Sequence, residues 1–434
     1  VTLPLMDRDE PRFAQATLEM METEQWVIPY FDGEYRFDKP PLTYWWMRIH
    51  YLILGKGELA ARLHSIFAAG LTALVIARLG GFLYTRRAGI LAGFGFLTIT
   101  QTLVHGRLCV ADMPMILGLT ATMDAFVRYL FRESEWSRGE AWGHLLYLAS
   151  ALAVGFLAKG PIAWIVPCLA IALYVWPFGR GASKERLQHL RRIPWMASFG
   201  LATGVCLIWA IPALVQTEGK FFEVGIGTHV VERGLRPFND RIEFPGVYYL
   251  ATIIPSLLPW SAFSWKALFR DGWPKSDPKR SLLLSWYLTP FLIFSFYSTQ
   301  LPHYVMPGFA AFLLLLFRDG ELPVPESSRE RVWLYATTGG TLLFTIGGLI
   351  FLGLVQANFK GEMRAVVPII ATGLVAVAFV GGIAPFLVLL SSRFGRSKGN
   401  PSLKISLTSF AVLFLLGTSG ITCFMADKLR SANL

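Results

Sequence analysis

Two short polar patches stand out in a chain that is otherwise mostly hydrocarbon. The first, Asp7-Arg8-Asp9-Glu10-Pro11-Arg12, crowds carboxylates against guanidinium groups; the second, Tyr35-Arg36-Phe37-Asp38-Lys39-Pro40-Pro41, follows after one helix length. Carboxylates can take a proton from an attacking hydroxyl, or orient it, while a new bond forms at a sugar carbon. Arginine and lysine can stabilise the charge that develops on a departing phosphate without a metal. Together the two patches have the chemistry needed to move a glycosyl group from a phosphate to a hydroxyl.

Within the first patch, Asp9 is the leading candidate for the catalytic carboxylate, with Asp7 and Glu10 beside it. Asp9 also suits the N-cap of a helix starting at Glu10-Pro11, which does not exclude catalysis, and Glu10 suits a dipole-compensating acid or a partner for an arginine. Arg12 and Lys39 are the candidate phosphate-binding cations, Arg12 as a fork and Lys39 as a point charge; contact with lipid headgroups is the plainer role for each. Pro40 and Pro41 hold the preceding Lys39 extended, so its charge has a defined position. Lys159, next to Gly160-Pro161, either snorkels or reaches the phosphate. Tyr304 either bonds the phosphate or the sugar, or is an ordinary interfacial tyrosine. His229 in the largest outward loop could join Asp38 in holding a divalent metal, although a lone histidine is more often not a ligand. Arg107 and Asp112 are expected to pair with each other. Beyond that possible metal, the chemistry requires no cofactor.

Composition says what must hold these groups. Hydrophobic residues make up 54% of the chain and charged residues 16%, where a soluble domain carries roughly a quarter charged. Apolar runs recur at 59–83, 88–104, 113–132, 144–158, 160–177, 194–215, 246–266, 281–297, 301–317, 331–355, 365–390 and 405–424. Each is near the ~20 residues needed to span a bilayer. The fold expected is therefore an all-α polytopic membrane protein with about twelve transmembrane helices in this chain, and interfacial helices in the first outward loop.

The net charge of +11 does not point to nucleic acid, because the basic residues collect in short loops. Arg86 and Arg87, the 180–192 group, the 266–280 group and the 393–404 group mark one side as cytoplasmic. The opposite side holds 7–58 and 216–245, and with them nearly all the polar residues that have no topological duty. Four widely spaced cysteines exclude a disulfide framework or a structural zinc cluster. Val1-Thr2-Leu3-Pro4-Leu5 has the character of the end of an apolar helix, so a preceding span is expected to be missing, which would make about thirteen in all. The membrane domain is expected to cover 1–424, with a short tail at 425–434.

With these patches assembled, the chain resembles the membrane-embedded C-type glycosyltransferases, in the protein-mannosyltransferase-like group that includes the lipid A aminoarabinose transferase. The resemblance rests on the Asp7–Ala14 patch, Gly33-Glu34 through Pro41, Glu58-Leu59-Ala60-Ala61-Arg62-Leu63, Lys159-Gly160-Pro161 and Leu301-Pro302-His303-Tyr304. It implies about thirteen transmembrane helices, an undecaprenyl-phosphate sugar donor and inversion at the anomeric carbon. By position, Asp9 falls on the family's catalytic aspartate, Arg12, Lys39 and Tyr304 on donor-phosphate positions, and Asp38 with His229 on a metal pair found in some relatives. Phe13 stands where some relatives have tyrosine, Asp38 where some have glutamate, and Gln300 where many have lysine. The short tail implies that the soluble carboxy-terminal domain of the aminoarabinose transferases is absent. The function so implied is an inverting glycosyltransferase in a bacterial inner membrane, its site facing the periplasm and its acceptor a lipid A-like lipid or a protein. The rival reading is a transporter or flippase, which needs ionisable groups at mid-membrane and two matching halves; the polar residues lie at span ends and no halves match.

Overall fold

A computed structural model of the chain describes residues 5, 9–175, 186–225, 227, 247–271, 277–355 and 375. Residue 375 apart, the predicted spans at 365–390 and 405–424, the tail, Asp7 and His229 lie outside the described residues.

The described chain is helical apart from one small hairpin. Helix α1 (Asp9–Glu22) has Asp9 and Glu10 in its first turn, where acids suit the helix dipole. Its Phe13, Ala16 and Met20 recur every three or four residues and are buried. They pack mainly on Tyr44, Met47 and Tyr51 of α2 (Leu42–Leu54). Between the two helices, Tyr30–Phe31 pairs antiparallel with Glu34–Tyr35. Asp32 and Gly33 both take positive φ, 57° and 75°, the geometry that an Asp-Gly turn adopts most readily. The carboxylate of Glu19 in α1 accepts the backbone N–H groups of Asp32 and Gly33 at 3.1 and 3.3 Å, tying the turn to the helix. The hairpin is an addition to the all-α fold read from sequence.

The helices that follow are α3 (Glu58–Leu83), α4 (Arg86–Thr98), α5 (Thr100–His105), α6 (Asp112–Phe131), α7 (Arg138–Lys159), α8 (Ile162–Val175), α9 (Trp195–Gln216), α10 (Val247–Ser256), α11 (Ser264–Leu268), α12 (Pro278–Ser295), α13 (Phe309–Leu316) and α14 (Ser328–Val355). Among the described residues, α3, α7, α9 and α14 are long and apolar enough to cross a membrane on their own. Three of the predicted continuous spans are broken. The run 88–104 divides at Ile99, which is extended (ψ 132°). The run 246–266 divides after Ser256 and continues through a 3-10 turn. The run 301–317 begins as a 3-10 turn (Pro302–Gly308) before α13. Hydropathy does not register such breaks, because apolar residues continue through them.

Helix pairs α3–α4 and α6–α7 pack along their lengths, and small residues set their separation. A Cβ on Gly89 would lie 2.0 Å from the Ala77 carbonyl oxygen; one on Gly118 would lie 2.4 Å from the Gly155 nitrogen. Membrane helices gain from such close approach because lipid offers them no hydrophobic drive to associate. Gly118→Val is therefore expected to destabilise by about 1–3 kcal/mol or more, seen as a lower melting midpoint and aggregation on gel filtration in detergent. Gly143→Val, where a Cβ meets nothing within 4 Å, is the control expected to behave as the parent protein does.

Candidate active site

The first polar patch is fastened by one buried ion pair. Glu10 Oε1 and Oε2 accept from Arg62 Nε and Nη2 at 2.8 and 2.7 Å, with side-chain exposures of 0% and 3%. Glu10 Oε1 also accepts the Cys109 backbone N–H at 2.9 Å. So α1 is clamped both to α3 and to the 106–111 segment ahead of α6. Of the two roles the sequence allows Glu10, a catalytic acid or an arginine's partner, the structure supports the second: it is sealed from solvent and bonded through both oxygens. Its neighbour Asp9 is exposed at the start of the same helix, and Arg12, three residues on, lies along the same face.

Arg36 joins this patch to the second. Its Nε donates to the Tyr44 hydroxyl at 3.0 Å and its Nη2 to Asp38 Oδ2 at 3.2 Å. Its guanidinium also lies over the rings of Phe13 (5.3 Å) and Phe31 (5.7 Å), within cation–π range. Burial acts to lower the pKa of Arg36, but Tyr44, Asp38 and Asp9 more than offset it and hold it above the usual arginine value. Asp9 therefore feels the same guanidinium that orders Asp38. The sequence alone does not single out Arg36, although it stands in the second patch two residues before Asp38. Its aromatic bed, Phe13 from α1 and Phe31 from the hairpin, with Phe13 stacked on Tyr44 of α2 at 5.2 Å between centroids, comes from separate elements and is not visible along the chain.

Lys39 donates to Asp38 Oδ1 at 2.9 Å and to the Asp38 carbonyl at 3.1 Å. Both oxygens of Asp38 thus face cations, Arg36 on one and Lys39 on the other. That arrangement does not suit a metal at Asp38, and His229 lies outside the described residues.

Asp38 and Lys39 border a cavity of about 360 Å³. Lys159 at the end of α7, Asp112 at the start of α6, and His303 and Tyr304 in the 3-10 turn line the same space. Lys159 Nζ donates to Asp112 Oδ1 and sits 5.6 Å from the Tyr304 ring centre. The expected pairing of Asp112 with Arg107 is replaced by Asp112 with Lys159: α6 and α7 pack side by side and bring the ends of both to one level. Phe156, Ile165, Trp209, Leu214 and Phe294 continue the wall as an apolar surface. Trp209 is held by its indole N–H, which donates to the Val27 carbonyl at 2.7 Å. Near the polar end, His105, Asp112 and His303 each offer a ligand atom, all within 4.8 Å of one another, a group able to hold a metal ion. Nothing along the chain places His105 and His303 beside Asp112.

The cavity lining combines lysines with apolar side chains and is carried on interrupted apolar helices. The fold is that of ArnT from Cupriavidus metallidurans bound to undecaprenyl phosphate, with TM-score 0.75, 20% identity, and coverage of 98% of this chain and 74% of that one. Residues 38–209 match the family model described as dolichyl-phosphate-mannose-protein mannosyltransferase. The undecaprenyl phosphate-alpha-4-amino-4-deoxy-L-arabinose arabinosyl transferase of Aeromonas salmonicida is 32% identical over 380 residues, covering 87% of this chain and 66% of that protein. The Serratia proteamaculans protein of the same description is 30% identical over 316 residues, covering 72% and 54%. The chain belongs to the protein-mannosyltransferase-like family of C-type membrane glycosyltransferases, in the group that contains these arabinosyl transferases. It spans between about half and two thirds of the length of the curated relatives it matches.

The buried clamp gives a direct test. Arg62→Met leaves the Glu10 carboxylate buried without its guanidinium, which should cost about 3–5 kcal/mol. Glu10→Gln in the same chain should restore part of that loss. A thermal melt of the purified single and double variants reads both; a single variant as stable as the parent would remove the pair from its structural role.

Proposed function

We propose that this chain is an inverting glycosyltransferase that moves a sugar from a polyprenyl-phosphate donor to a lipid acceptor at the periplasmic face of a bacterial inner membrane. The observation that carries the proposal is the cavity, whose lining combines Lys39 and Lys159 with the apolar side chains of Trp209, Leu214 and Phe294. An isoprenoid chain suits that wall and a phosphate suits those ammonium groups. The names of the relatives point to an undecaprenyl carrier and to 4-amino-4-deoxy-L-arabinose as the first sugar to test.

In this reading an acceptor hydroxyl oxygen attacks the anomeric carbon from the face opposite the phosphate. The bond from that carbon to the phosphate oxygen breaks, and its electron pair stays on the phosphate. Asp9 takes the hydroxyl proton, or holds the hydroxyl in line for attack; Asp7 is the second candidate for this step. Arg12 and Lys39 bind the donor phosphate as its charge grows, with Lys159 and Tyr304 as further contacts. Glu10 positions Asp9 through α1. Arg36 bonds Asp38 and interacts electrostatically with Asp9, so it links the acid to the phosphate cations.

A transporter would need its ionisable groups to face a path across the membrane. Here those lining the cavity gather at its polar end, and no observation favours a protein acceptor over a lipid.

Membranes carrying the protein, supplied with lipid-linked aminoarabinose and lipid A, supply the assay. Asp9→Asn should lower transfer by at least about 100-fold while donor binding persists. Lys39→Ala should instead weaken donor binding. Undiminished transfer by Asp9→Asn would exclude Asp9 from the chemical step.

A further inference from the structure

Three side chains that bind metals meet where the cavity is most polar. His105 ends α5, Asp112 begins α6, and His303 lies in the 3-10 turn before α13, so three separate elements each contribute one ligand. The ligand atoms all lie within 4.8 Å of one another. His303 Nε2 is 3.6 Å from Asp112 Oδ1, and the two imidazole rings are 4.6 Å apart at their centres. With zinc–nitrogen and zinc–oxygen bonds of about 2.0–2.2 Å, ligands of a tetrahedral ion sit about 3.4 Å apart. The His303–Asp112 pair already has that spacing, and the remaining closure is within the reach of a side-chain adjustment.

The surroundings suit such an ion. His105 Nδ1 lies 3.3 Å from the Gln101 carbonyl oxygen. In the tautomer whose Nδ1–H donates there, the Nε2 lone pair is presented for coordination, the usual support for a metal-binding imidazole. The Gln101 side-chain amide lies 3.0 Å from the same Nδ1, and the Ser256 hydroxyl holds its other end at 3.2 Å. A hydroxyl can donate or accept, so the amide can turn its oxygen to the ring without losing that contact. Asp112 Oδ1 carries both the Lys159 ammonium and the 3.6 Å approach of His303, so an ion shares that oxygen with Lys159 or takes Oδ2.

We infer that His105, Asp112 and His303 bind one divalent transition-metal ion of the zinc class. Two imidazoles and a carboxylate are a ligand set for zinc or a similar metal rather than for magnesium or calcium, which prefer all-oxygen shells. Three protein ligands leave a coordination position open toward the cavity, where an anionic oxygen can take it. The site stands on its own donor atoms; only the identity of that oxygen as a donor-phosphate oxygen rests on the proposed function.

The test uses the full chain in detergent, stripped with chelator and titrated with zinc. The expected result is one zinc ion per chain by elemental analysis. His105→Ala and His303→Ala should each weaken the affinity by at least about tenfold, and Gln101→Ala by a similar factor through the supporting shell. Asp38→Asn should keep the ion. Cobalt(II) added to the unaltered protein should give a visible spectrum of low-coordinate nitrogen and oxygen ligation, a readout that needs no folded variant. No zinc uptake, equal uptake by the parent and both histidine variants, loss on Asp38→Asn alone, or a thiolate charge-transfer band with cobalt would each overturn the assignment.

Discussion

The bidentate pair between Glu10 and Arg62 is the constraint on which the site depends. An exposed amphipathic helix at a membrane surface has little of its own to fix its height or rotation. Glu10 supplies both, because its oxygens bond a membrane helix and the Cys109 backbone at once. Once that helix is fixed, Phe13 meets Tyr44, Arg36 finds its ring bed, and the hairpin settles against Glu19. The exposed acid at the head of the helix is thereby held in the field of Arg36. A charge pair this deeply buried brings little net stability over apolar residues, but breaking half of it is costly. Its use here is to specify one arrangement.

Much of this organisation is legible along the chain. Runs of apolar residues mark out the membrane helices, since lipid admits few other solutions for the backbone. Alternating acids, cations and prolines in an otherwise greasy sequence mark Asp9 and Lys39, because charge is expensive there and rarely incidental. A helix opening at Glu10-Pro11 is readable from its acidic start and the spacing of Phe13, Ala16 and Met20, and the structure starts it one residue earlier, at Asp9.

What stays hidden depends on distance along the chain. His105 and His303 touch because a broken helix and a 3-10 turn converge, and neither break leaves a mark in hydropathy. The same holds for Asp112, whose partner is Lys159 rather than the nearer Arg107. Sequence proximity favours the wrong cation; helix packing chooses the right one. The Asp32-Gly33 turn is different: its signal is present, and a short hairpin among long apolar runs is simply outweighed by them.

Helix α6 carries two ionic anchors to its neighbours, one at its start and one just past its middle. Asp112 is bound to Lys159 of α7 at the first, and Asp124, fully buried, is bound by Arg78 of α3 at the second, with Arg128 of α6 itself on the same carboxylate. Twelve residues of α-helix separate the anchors by roughly 18 Å, so the rod is pinned on both sides of its middle. Sliding or tilting it would stretch both sets of bonds within an apolar interior. Any opening between these helices must then come from the elements around this strut, which leaves the strut itself as the fixed ruler of the described fold.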